Sequence, residues 1–127
     1  MRNLSQKQIG SIGSAGENAA VEYLESQGYL IEDRNAVFGK LEIDIVASDD
    51  KYVVFCEVKT RTEREQTSGR FGGPASAVTS EKRRNLKTAA RQYLKSYSKR
   101  RIPRMDIIEV TVDRENRYTV NHIRNAF

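Results

Sequence analysis

Asp44 and Glu57 are two carboxylates separated by one short turn, and Lys59 follows Glu57 by two residues. They lie in Glu42-Ile43-Asp44 and in Val53-Val54-Phe55-Cys56-Glu57-Val58-Lys59, which both read as β-strands. Side chains alternate along a strand, so Glu57 and Lys59 project from one face. The rest of that strand is apolar on both faces. A charged pair at its end is costly unless partners, water or a metal ion compensate it. Two carboxylates and an ammonium at one spot suit a divalent cation and a phosphodiester, which is the chemistry of a nuclease. The plain alternative is a solvated ion pair at a strand end. Val53 and Phe55 share the face with Glu57, which argues that the face is covered.

Other chemistries are excluded by what the chain lacks. Cys56 is the only cysteine, so there is neither an intramolecular disulfide nor a cysteine-rich zinc site. It is expected to fill core space. His122 is the only histidine, which removes nuclease designs built on paired histidines. It falls in a late apolar strand and reads as structural. Hydrolysis, if present, rests on carboxylates, lysine and metal. No apolar run approaches the length of a membrane helix and no signal peptide is visible, so the cytoplasm is the expected location. The chain has 127 residues and a net charge of +5. That size fits one domain, and a basic balance favours polyanionic partners.

The elements that must position these residues follow in order. Residues 1–12 are polar and aperiodic, expected as a mobile arm, with one domain over 13–127. Ser14-Ala15-Gly16-Glu17 reads as a capping box that opens a helix, and Gly28 ends it. Glu17, Ala20, Val21 and Leu24 share one helical face. Strands are expected at 29–38, 41–47 and 52–60, joined by short turns into an antiparallel meander. Residues 62–78 form a long glycine-rich loop placed to cover a ligand. A second helix is expected over Ser80–Arg101, with Leu86, Ala89, Ala90, Tyr93, Leu94 and Tyr97 as its apolar stripe. Pro103 is expected to stop it. Strands at 105–112 and 117–123 complete the order α-β-β-β-α-β-β. Strand, helix and strand in the middle favour a parallel crossover. The fold class is α/β, a mixed β-sheet flanked by helices.

A helix with a leading glutamate, then Glu42-Ile43-Asp44, then Glu57-Val58-Lys59-Thr60-Arg61, resembles the YraN-like family of small bacterial proteins. The lead-in Ala77-Val78-x-x-x-Lys82 to the basic helix belongs to the same likeness, which covers nearly the whole chain. Ile43 stands where the wider superfamily has proline, and Leu41 where the family has glycine. The resemblance implies a restriction-endonuclease-like core, as in Holliday-junction resolvases. It implies Asp44, Glu57 and Lys59 as catalytic residues, and Glu17 reaching the site directly or through water. The cofactor is expected to be Mg2+ or Mn2+, a hard cation that takes oxygen ligands. Asp44 and Glu57 supply two, and the Val58 carbonyl is a further candidate. DNA is the expected partner, with branched or junction DNA the favoured class. A homodimer suits a symmetric junction, although no residue specifies one.

Several of these residues carry a second reading. Glu17 serves equally as a cap glutamate. Glu42 shares a strand face with Asp44 and is either a carboxylate behind the metal ligands or a solvated rim residue, the latter favoured. Asp106 and Glu109 read as surface or salt-bridge groups. Arg61 is a candidate for a flanking phosphate. Lys82, Arg83, Arg84 and Lys87 on the second helix are candidates for DNA backbone contacts, against the alternative of a solvated helix face. The rival functions are a nucleic-acid-binding module of the same fold without cleavage, and an adaptor that docks through the long loop.

Overall fold

The computed structural model describes residues 11–63 and 79–127. Its elements are α1 (Ser11–Ser26), β1 (Leu30–Phe38), β2 (Leu41–Ser48), β3 (Tyr52–Thr62), α2 (Ser80–Leu94), β4 (Ile102–Val112) and β5 (Tyr118–Ile123). Of the arm expected over 1–12, residues 1–10 lie outside the described residues while Ser11 and Ile12 belong to α1, and most of the loop expected over 62–78 also lies outside them.

The five strands form one sheet in the order β1-β2-β3-β4-β5. β1, β2 and β3 pair antiparallel as a meander. β3 and β4 pair parallel from Tyr52↔Ile102 to Thr62↔Val112, and β5 returns antiparallel on β4. The expected order and the mixed α/β sheet are therefore present. The two helices cover opposite faces. Ala20 and Leu24 of α1 pack with Ile45, Ala47, Val54, Cys56, Ile108 and Val110. Leu86, Ala89 and Ala90 of α2 pack with Ile43, Val46, Val53 and Phe55. β3 is thus buried on both sides, as its apolar run requires. Cys56 fills core space as expected. Each large apolar side chain buried here contributes about 1.5–3 kcal/mol.

Helix ends depart from expectation at two of the four points read from sequence; α2 begins at Ser80 as expected. Gly28 does terminate α1. Its φ is +93°, and Tyr29 and Gly28 donate their N–H groups to the Leu24 and Glu25 carbonyls, each at 3.0 Å. That pair of bonds is a Schellman motif. At the other end the capping box is overturned: the chain is already helical at Ser11, so Ser14 and Glu17 lie inside α1. α2 also ends earlier, at Leu94 rather than Arg101. The basic segment that follows is held by tertiary bonds instead. Lys99 Nζ donates to Glu32 Oε2 at 2.8 Å, and Arg101 Nε donates to the Asp49 carbonyl at 2.6 Å. Pro103 does not stop the helix but lies within β4. β5 begins pairing only at Ile107, so the missing N–H of Pro103 costs no rung on that side.

Among the described residues no helix is long and apolar enough to cross a membrane.

Candidate metal centre

The ladder between β2 and β3 runs only from Ile45↔Cys56 to Ser48↔Val53. Continued by one step it would pair Asp44 with Glu57, but the strands part there. β2 stays on β1 while β3 stays on β4, and a fork opens between them. The β2 chain turns at the same point. Ile43 faces the α2 layer and Ile45 the α1 layer, although residues two apart in a regular strand share a face. Asp44 replaces the missing rung with its side chain, since Val58 N–H donates to Asp44 Oδ2 at 2.8 Å.

Two helices look into the fork from opposite faces. α1 brings Glu17, whose approach depends on Gly16. A Cβ on Gly16 would lie 1.9 Å from Thr60 Oγ1, so only glycine lets α1 sit this close to β3. Oxygens of Glu17, Glu42 and Asp44 all lie within 4.8 Å of one another. From the other face α2 brings Lys82, with Nζ 3.6 Å from Glu57 Oε1. Thr79 caps α2 by accepting from Lys82 N–H at 3.1 Å, which fixes that first turn. A cleft of about 190 Å³ is lined by Lys40, Glu42, Asp44, Glu57, Lys82 and Asn85, with Leu41 and Leu86 as its apolar wall.

The charges in this cleft are poorly balanced. Burial, reinforced by the negative charge of Glu57, pushes the Asp44 carboxyl up to about 7; Glu17 and Glu42 add to the effect, while the Val58 N–H opposes it. Burial also raises Glu57, against the pull of Lys82 and Lys59. Uncompensated negative charge of this kind is what a hard cation relieves. The donors are carboxylate oxygens, the type magnesium and manganese take. The residues present therefore fit a divalent ion.

Several expectations are met in altered form. Glu17 meets Asp44, as the resemblance implies, and the Arg34 guanidinium stands 3.8 Å from its Oε1. Glu57 shares the cleft with Asp44 but lies outside the tight trio, drawn toward Lys82. Val58 is seen offering its N–H to Asp44. Lys59 is half-buried, and its charge is felt at Glu57.

Arg61 is corrected. It is 3% exposed and pairs with Glu109, 2% exposed, at 3.2 Å, so it is not available to a phosphate. Strand alternation placed it on the correct face, but Glu109 arrives on that face from the parallel neighbour. Arg83 is half-buried, with its guanidinium 5.4 Å from the centre of the Phe127 ring. Lys82, Arg84 and Lys87 are exposed. Of the two expectations for Asp106, the salt bridge holds and the surface position does not: it is fully buried and binds Arg104 and His122. His122 also meets the Tyr23 hydroxyl at 3.0 Å, in keeping with a structural role.

The sequence leans the wrong way on one residue of the centre and misses another. Glu42 is solvent-exposed, yet its carboxylate belongs to the trio rather than the rim. Asn35 takes a left-handed backbone in the middle of β1, with φ +53°. With its nitrogen turned inward, its amide donates to Glu17 Oε1 and Glu42 Oε1, each at 3.2 Å. Asn tolerates that backbone better than most residues, which is the one signal the sequence carries.

The model of the uncharacterised protein family UPF0102 matches residues 16–110. The chain is 42% identical over 117 residues to UPF0102 protein STH1475 of Symbiobacterium thermophilum, covering 91% of this chain and 95% of that protein. It is 45% identical over 118 residues to a UPF0102 protein of Geobacter metallireducens, covering 92% of each. A Myxococcus xanthus relative is 39% identical over 128 residues, covering 100% of this chain and 97% of its own length.

Proposed function

This chain belongs to the UPF0102 family, and we propose that the fork in its fold serves a metal-dependent endonuclease activity on DNA. The observation that carries this reading is the convergence of Glu17, Glu42 and Asp44 beside Glu57, with Asp44 pushed up to about 7. The resemblance of Glu42-Ile43-Asp44 and Glu57-Val58-Lys59 to the motifs of restriction-endonuclease-like enzymes supports it.

Glu17, Asp44 and Glu57 would hold a magnesium or manganese ion, with Glu42 alongside. When bound, such an ion supplies Lewis-acid polarisation of a phosphoryl oxygen and a nucleophile at neutral pH. Lys59 orients the attacking water and offsets charge that develops on the phosphoryl oxygens. Lys82 pairs with Glu57 across the cleft mouth. With Glu57 engaged in holding an ion, Lys82 would be free to meet a substrate phosphate. Exposed Arg84 and Lys87 continue the positive track along α2. Branched DNA remains the favoured substrate class on the resemblance alone.

The test compares a labelled four-way junction, a flap and a plain duplex with Mn2+, for wild type and Lys59→Ala. The reading expects cleavage by wild type and a drop of roughly a hundredfold or more in the variant. Equal cutting by both would assign the activity to a contaminant. DNA retardation without any metal response in calorimetry would replace the hydrolase with a binding module.

A further inference from the structure

Asn35 sits where the ladder of β1 and β2 skips a rung. Arg34 and Ala36 keep their partners Ile45 and Ile43, and Asp44 stands opposite Asn35 between them. The other asparagines with positive φ among the described residues, Asn116 and Asn125, lie in turns. In a strand, a left-handed non-glycine residue is strained and needs a compensating role.

The surroundings supply one. Three carboxylates in close contact repel one another, and an amide nitrogen carries two N–H donors. With the nitrogen turned inward those donors reach two of the three carboxylates, Glu17 from α1 and Glu42 from β2, whereas the opposite orientation sets the amide oxygen against them. The amide therefore joins two elements at the point where a cation would otherwise join them. Its other end is a neutral oxygen with two lone pairs, an atom that a hard cation accepts as a ligand. A half-turn about the Cβ–Cγ bond exchanges one end for the other.

We infer that Asn35 is a positioning residue of this centre: its amide bridges Glu17 and Glu42 in the cation-free protein and turns its oxygen inward when a divalent ion enters. The inference rests on the metal-centre reading above. It assigns Asn35 a role in setting affinity by holding the carboxylates ready before the ion arrives.

Asn35→Gly keeps the left-handed backbone available and removes only the amide. Its Mn2+ affinity by calorimetry is expected to fall roughly tenfold, the scale seen when partners that orient metal ligands are removed. Asn35→Asp keeps an oxygen but loses both donors and adds a charge. It is expected to melt below wild type without metal, and to gain more than wild type in melting temperature on adding Mg2+. The direct readout is the Asn35 side-chain NH2 signal in 15N correlation spectra, assigned by its absence in Asn35→Gly. It should shift with Mg2+ along the calorimetric binding curve. Asp44→Ala is the control for the centre itself. If Asp44→Ala binds Mn2+ as wild type does, the metal-centre reading fails and this inference with it. If Asp44→Ala loses binding while Asn35→Gly binds as wild type and the amide signal stays still, the role of Asn35 alone is overturned.

Discussion

At the scale of single residues, Asp44 sets the chemistry and the pH response. Its carboxyl is pushed from an ordinary 3.8 up to about 7, first by burial and then by Glu57. A raised acid group holds its proton more tightly in the folded chain than in the unfolded one. The stability this lends is complete below 3.8 and is lost as pH rises through about 7. A cation must displace that proton, so its affinity climbs over the same window. We expect Mg2+ affinity, measured by calorimetry, to rise from about pH 5 toward about pH 8 in wild type. Asp44→Asn should bind weakly and show little of this slope. The sequence marked Asp44, Glu57 and Lys59 because carboxylates and lysine beside an apolar run are locally visible. It placed Glu42 on the strand face of Asp44 but favoured a solvated rim residue, because nothing local shows that Glu17 from α1 and Asn35 from β1 close on that carboxylate.

At the scale of elements, the seat of α1 on β3 decides whether Glu17 arrives. Gly16→Ala would press a methyl into Thr60 Oγ1. We expect a destabilisation of about 1–3 kcal/mol in urea unfolding, with metal affinity lowered because Glu17 moves with the helix. Thr60→Ala would vacate the space of the hydroxyl, and the double variant should recover part of both effects. A second tie is the buried set of Asp106, Arg104 and His122, joined by Asn125 N–H to Asp106 Oδ1 at 2.9 Å. Burial works to raise Asp106, but His122, Arg104 and Asn125 outweigh it and hold the carboxyl below its usual range. A lowered acid group lends stability above its unfolded value of 3.8 and loses it as pH falls further. Asp106→Ala should cost about 3–5 kcal/mol, and its deficit relative to wild type should shrink in acid unfolding below that point. The strands and the parallel crossover were legible because apolar runs, short turns and a long amphipathic helix each restrict the chain strongly. The helix ends were less so. A Ser-x-x-Glu pattern is local and says nothing of residues upstream. The basic run after Leu94 has good helical propensity but is redirected by Glu32 and Asp49, which are distant in sequence.

For the molecule as a whole, the net charge of +5 matters by its placement. α2 exposes Lys82, Arg84, Lys87 and Arg91, and Lys95 follows at its C-cap; Lys82 at the N-terminal end lines the cleft. If this track meets a DNA backbone, replacing Arg84 or Lys87 with Ala should lower the salt slope of binding by about 0.9 for each phosphate no longer neutralised. Arg61→Ala gives the contrast. It should leave that slope unchanged and instead destabilise the fold by about 3–5 kcal/mol, because Glu109 would remain buried without its cation. Sequence alone offers Arg61 to a phosphate, since nothing along the chain announces which residue of a parallel neighbour will face it.

Val58 has a backbone hydrogen held by the Asp44 side chain instead of by a neighbouring strand. Its exchange with deuterium therefore follows where one carboxylate rests, while Val54, four positions back, lies within the continuous β2–β3 ladder. An ion that draws Asp44 aside would speed exchange at Val58, and one that pins it would slow exchange there. A single amide thus reports occupancy of the cleft without any substrate being cut.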